Sequence, residues 1–324
     1  MITVPLAAVP ADAGQLEPTL TWNLVADVRE LFAYPFMVDA IQAGTIVAVL
    51  AGVVGWFMVL RRQSFVGHTV AVVGFPGAAG ALLLGVSVTA GFFVFALAAA
   101  LVIALVPASG RTGLGTESAV TGTVQATALA LGFLFSNLYG GFSGGASALL
   151  FGSFLGITAA QVQVLLAVAI VAIVALAVIG RPLLFASVDP VVAAARGVPV
   201  RVLSLAFLLL LAAAAAEVAQ ITGTLLVFAL LVAPAASAQA LTARPLAGVA
   251  LAVAIGLLVT WTALLLAYYE PYPIGFFVTT FAFAAYLLAV LVDRLRAHQG
   301  RRRTPSADAE TGGDVLALGA GRRR

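Results

Sequence analysis

Val59-Leu60-Arg61-Arg62-Gln63-Ser64-Phe65-Val66-Gly67-His68-Thr69 joins two long apolar stretches almost without a break. Two adjacent arginines at the end of a hydrophobic stretch hold that end on the cytoplasmic side of a membrane. The chain then turns within a few residues and becomes apolar again, so the junction reads as a tight inner turn between two spanning helices. His68 stands at the mouth of the second one, and an ionisable side chain there is costly unless it is used.

Composition agrees with this reading. The chain has 324 residues, 63% hydrophobic and only 9% charged, against about 25% charged in a soluble domain. The bilayer is therefore its solvent. All 16 basic residues are arginine, and they sit at span ends and in the C-terminal tail. Topology and anionic lipid account for them there, and nothing calls for nucleic acid. The absence of cysteine excludes disulfides and thiolate metal sites, and two histidines exclude a large imidazole cluster.

A spanning helix needs about 20 apolar residues. Spans are expected at 37–60, 69–85, 89–108, 118–137, 158–179, 202–220, 222–241, 246–268 and 274–293. This predicts an all-α, polytopic transmembrane bundle of about eight to ten spans. Residues 138–157, rich in Gly and Ser, are short for a span and suit a half-helix or re-entrant piece buried by protein. With this set, Arg61, Arg62, Arg111, Arg181, Arg196, Arg201, Arg244, Arg294 and Arg296 all fall on one side. The N-terminus is then outside and the C-terminus inside, in the multi-pass arrangement of a prokaryotic cytoplasmic membrane protein.

Residues 1–35 are expected to form an extracytoplasmic tail whose segment 21–33 lies as an amphipathic helix at the interface. They lack the basic start and long apolar core of a signal peptide. Residues 36–296 form the membrane domain, and 297–324, with two arginine triplets, a disordered cytoplasmic tail. Glycines at near-helical spacings, among them Gly52 and Gly55, and Gly74, Gly77 and Gly80, suit close helix packing. Pro76 and Pro234 lie inside spans, and each is expected to bend or unwind its helix.

The segment 181–201 is the longest inner connection and carries its own helix punctuation. Asp189 can cap a helix N-terminus, and Pro190 fits the first helical position. Ala193 and Ala194 propagate the helix, Arg196 suits its negative end, Gly197 can take the left-handed closing conformation, and Pro199 prevents continuation. The result is a two-turn helix too short to cross a membrane. It either inserts into a groove of a cytosolic partner or rests on lipid.

Taken in order, these pieces resemble the permease subunits of ABC transporters that import zinc, manganese or iron. Val59 to Gly67 is similar to that family's first cytoplasmic turn, and Asp189-Pro190 through Arg196-Gly197-Val198-Pro199 to its coupling helix. Gly223-Thr224-Leu225-Leu226-Val227, with Pro234-Ala235-Ala236, resembles its late membrane signature, and Pro273-Ile274-Gly275 its last outer turn. The resemblance spans about residues 36–295. It implies a partner ATP-binding cassette ATPase, an extracytoplasmic solute-binding protein, a homodimer of permeases and no cofactor. The chain has no G-x-x-x-x-G-K-[ST] loop, so ATP hydrolysis belongs to a partner. The family pattern places an Asp after the first-turn glycine and a His one turn later. Here those positions are His68 and Val72. At the outer acidic position stands Pro271, next to Glu270.

The candidate pathway residues are His68, Glu217, Gln220 and Glu270, with His68 and Glu217 as the metal candidates. Glu217 lies in an otherwise apolar span with Gln220 near it on one face, so it must face water, pair, or be protonated. Glu270, with Tyr268, Tyr269 and Tyr272, either receives cargo or anchors the outer interface through its tyrosines. Gly223, Pro76 and Pro234 are the candidate hinges. The expected function is that of an importer permease for divalent metal, Zn or Mn. A chelate carrier and a self-contained secondary transporter with Glu217 as proton relay are the alternatives.

Overall fold

The computed structural model describes residues 29–105, 114–139, 152, 154–224 and 226–303. Among these, all regular structure is helical. The helices are α1 (Pro35–Leu60), α2 (Ser64–Leu84), α3 (Val88–Leu105), α4 (Leu114–Leu138), α5 (Ala159–Val188), α6 (Pro190–Ala195), α7 (Val200–Thr222), α8 (Val227–Leu231), α9 (Ala233–Leu241), α10 (Pro245–Tyr269) and α11 (Ile274–Arg303). Eight of them are long and apolar enough to cross a membrane.

Local chemistry sets many of the ends. Pro35 opens α1 and Pro245 opens α10, at positions where a missing N–H costs nothing. Thr158 and Gln161 form a reciprocal capping box at the start of α5. Gly85, in the left-handed region at φ +68°, closes α2. The ninth expected span, 222–241, is broken instead of continuous. Gly223 ends α7, and Val232 joins the short α8 to α9, with Pro234 in the first turn of α9.

Pro76 behaves differently. Helix α2 runs through it without interruption, so the expected unwinding is absent there. Its missing N–H still leaves the Val72 carbonyl without the usual donor four residues on. Packing keeps α2 continuous: 78% of its apolar core stretch is buried, against 22–33% for α3, α4, α5, α10 and α11.

Helices α1, α2 and α7 are the centre of the bundle. Helices α5, α9 and α10 pack around α1, while α3 and α4 clasp α2. Small residues permit this. Gly77 and Gly91 each place backbone against the other's carbonyl, so α2 and α3 touch main chain to main chain. Gly55 of α1 lies directly on the carbonyl of Leu231, at the joint between α8 and α9.

Long-range hydrogen bonds sort the helix ends into two faces. Arg61 bonds Ser187 and Ser204, Gln239 bonds the Trp56 carbonyl, and Arg296 bonds the Leu241 carbonyl, all at the arginine-bearing ends. At the opposite face Tyr268 and Tyr269 bond Glu30, and midway between the two faces Trp261 bonds Thr45. Helix α11 continues through Arg303, into the segment expected to be disordered from 297. Most of the stretch expected to be re-entrant lies outside the described residues. Its end, the short turn Phe154–Gly156, buries Phe154 against α1.

Candidate functional site

The arginine-bearing face carries a helix that spans nothing. In α6 the Asp189 carboxylate accepts from the amides of Val191 at 3.1 Å and Val192 at 2.9 Å. At its other end Gly197 adopts φ +80°. The Val198 amide then reaches the Ala193 carbonyl at 3.1 Å and the Gly197 amide reaches that of Ala194 at 3.0 Å. These bonds satisfy both helix ends internally. Arg196 lies over the Phe185 ring at 5.9 Å.

Only Ala193 faces inward, fully buried. Val191 is 77% exposed and Val188 73%, and Val192, Ala194 and Ala195 are exposed as well. A helix whose polar groups are all spent on its own caps presents an apolar surface and little else.

Beside it lies the α1–α2 turn. Arg62 sits in the left-handed region at φ 57°, the position where glycine is the default. Its amide bonds the Val59 carbonyl at 3.0 Å, and the Gln63 amide bonds that of Met58 at 3.0 Å. Arg61 is turned inward by this geometry. Its guanidinium donates to Ser187 Oγ at 3.0 Å, Ser204 Oγ at 2.9 Å and Gln63 Oε1 at 3.4 Å, and lies over the Phe207 ring at 5.3 Å. Burial pushes its pKa below the usual guanidinium value. Read from sequence as a topology marker alone, Arg61 is also a structural tie. The two serines give no sequence signal of it.

His68, in the first turns of α2, packs its ring against Phe228 of α8, 4.6 Å between centroids at 37°. Its Nδ1 is buried and has no hydrogen-bond partner among the described residues. The neighbouring Thr69 hydroxyl donates to Gln125 Oε1 of α4 at 3.0 Å. Val72, at the position one turn on, is wholly buried.

Glu217 is fully buried in α7, behind an alanine run from Ala212 to Ala216, and among the described residues neither carboxyl oxygen has a hydrogen-bond partner. Gln220 does not reach it and bonds its own helix at the Ala216 carbonyl, 3.3 Å. Thr224, just past the Gly223 break, also keeps a buried hydroxyl without a partner among the described residues.

His68 and Glu217 are not brought together. A Cβ on Gly67 would lie 3.4 Å from Leu211 Cδ1, so the His68 turn is level with Leu211. Glu217 is six residues further along α7, about 9 Å at 1.5 Å per residue. No group of three His, Asp or Glu able to hold a metal occurs among the described residues.

At the outer face Glu270 is exposed where α10 ends. The tyrosines beside it serve another acid. Tyr268 and Tyr269 donate to Glu30 Oε1 and Oε2 at 3.3 and 3.2 Å, tying the segment before α1 to the end of α10. Glu30 stood out in the sequence only as part of an amphipathic pattern.

Comparison with known proteins places this architecture. The model of the ABC 3 transport family matches residues 33–293, and the chain belongs to that family. The manganese transport system membrane protein MntC of Halalkalibacterium halodurans is 29% identical over 68% of this chain and 75% of its own length. The chelated iron transport system membrane protein YfeC of Yersinia pestis is 30% identical over 85% of this chain and 95% of its own. Among solved structures, PsaBC from Streptococcus pneumoniae in complex with Fab superimposes with a TM-score of 0.74 at 24% identity, covering 82% of this chain and 95% of that one. The chain is thus an ABC-type permease, a multi-pass protein of a prokaryotic cytoplasmic membrane.

Proposed function

We propose that this chain is the membrane permease of an importer that carries a divalent transition-metal ion, zinc or manganese, into the cell. Two copies flank one pathway, an outer binding protein delivers the cargo, and a separate ATPase drives the cycle through α6. The observation that carries this reading is α6 itself: a capped two-turn helix on the inner face, with Val188, Val191 and Val192 uncovered. Such a surface fits a hydrophobic groove on a cytosolic partner. The manganese and iron systems named among the relatives supply the cargo class.

The contact with cargo falls to His68, which stands at the family's Asp position and keeps Nδ1 free. Imidazole suits later transition metals and oxygen donors suit manganese, so this change shifts preference towards softer ions. A second reading, a metal chelate as cargo, is favoured by one observation: Val72 replaces the family's second ligand and is fully buried. A permeation site must bind weakly enough to release, so one imidazole per protomer is sufficient for passage.

Ala194→Asp tests the docking role. It puts a charge on the outward face of α6, where there is room for it. The permease is expected to insert and fold normally while losing stimulation of its ATPase. Normal stimulated hydrolysis in this variant refutes docking through α6.

A further inference from the structure

We infer that Arg61 is the positioning residue that carries movement of α6 to the α1–α2 turn and its His68. The inference rests on the reading of α6 as the docking element. One guanidinium joins three helix ends here. Nη1 reaches Ser187, two residues before the Asp189 cap of α6, and Nη2 reaches Ser204 in the first turns of α7. Its own backbone amide closes α1 on the Phe57 carbonyl at 2.9 Å. The face of the group rests on Phe207, a fully buried side chain of α7.

The tie is stiff at each end. The Ser187 hydroxyl, while accepting from Arg61, donates to the Leu183 carbonyl at 2.6 Å, so it is held to α5. On the other side, Arg62 and Gln63 are locked by their bonds to Val59 and Met58, and the Gly67 amide bonds the Gln63 carbonyl at 3.0 Å. A displacement of the α5 end that carries α6 therefore pulls the turn as a unit, and His68 is one residue beyond Gly67. Lysine cannot replace this group. It carries the same charge for topology but is a point donor, without the planar fork that spans two serines or the flat face that stacks on a ring.

The test uses the permease assembled with its ATPase and binding protein in proteoliposomes, measuring manganese moved per ATP hydrolysed. Arg61→Lys keeps the inward charge; the double variant Ser187→Ala/Ser204→Ala keeps the arginine and removes both acceptors. Both are expected to assemble and to hydrolyse ATP near the parent rate while the transport ratio falls roughly tenfold, as the loss of a charge-assisted hydrogen bond allows. A residue that merely supports folding would lower uptake and hydrolysis together and leave the ratio unchanged. An unchanged ratio in both variants, with Ala194→Asp uncoupled in parallel, overturns the role of Arg61. Normal uptake and normal stimulated hydrolysis in Ala194→Asp overturn docking through α6 itself, and the tie with it.

Discussion

The inner turn pairs its polar side chains with one another, whereas the bundle interior pairs its hydroxyls with backbone, as at Thr222, Ser237 and Thr260, and leaves a few groups unpaired. At the turn, Arg61, Gln63, Ser187, Ser204 and Asp189 are all engaged in hydrogen bonds, several across long stretches of chain. Further into the bundle, His68 Nδ1, both Glu217 oxygens and the Thr224 hydroxyl are buried with no partner among the described residues. Glu217 stands thirteen residues along α7 from Ser204, about 20 Å at 1.5 Å per residue. Buried polar groups in native proteins are nearly always paired, so an unpaired set needs an explanation. We propose that groups committed to one another build a frame and that the uncommitted ones face the cargo pathway. Trp56 is the exception, with an unpaired indole N–H against Gly248, and we have no physical account of it.

If that division holds, interior substitutions change transport and frame substitutions change stability. The largest effect is expected at Glu217. Glu217→Gln keeps shape and removes the ionisable group, so uptake should drop at least tenfold, roughly the 1.4 kcal/mol step. Thermal unfolding in detergent should stay within about 1 kcal/mol, since no native bond is lost. Parent-level uptake would make Glu217 a structural residue and erase the contrast.

His68→Asp should come next, with a shift of several-fold in relative uptake towards manganese over zinc, as an oxygen donor replaces imidazole. An unchanged preference in competition assays would remove His68 from the path. Asp189→Ala acts on the frame. Loss of a cap costs about 1 kcal/mol, and hydrogen exchange at the Val191 and Val192 amides should accelerate accordingly. Unchanged protection there would mean that contacts other than the cap hold α6. The smallest effect is expected from Arg62→Gly, which should raise stability by about 0.5–1 kcal/mol. That figure is the relief of a left-handed non-glycine residue less the added freedom of glycine in the unfolded chain. No gain in unfolding temperature would show that the turn is not strained.

How much could be read in advance depended on range. Asp189, Pro190 and Gly197 each impose a local backbone state, so α6 and its boundaries were legible residue by residue. The spans were legible because lipid admits few alternatives to apolar helices. Proline was a weaker guide. At Pro234 the break falls just before the ring, which then occupies a first turn that needs no N–H. At Pro76 burial keeps the helix continuous. Pairs distant in sequence left no trace at all: Glu30 with Tyr268 and Tyr269, and Arg61 with Ser187 and Ser204, are joined only by the packing of whole helices. The isolation of Glu217 was half legible. Its apolar span implied burial, yet nothing local indicated that Gln220 would turn back to its own helix.

We propose that this bundle has no motor of its own and is moved from its inner face through α6. Uptake of manganese against a gradient, measured in proteoliposomes with and without the ATPase, tests this directly. Uphill uptake is expected only when the ATPase, ATP and the binding protein are present together, and is expected to be lost in Ala194→Asp. Uphill uptake by the permease alone, driven by an ion or proton gradient, would contradict it.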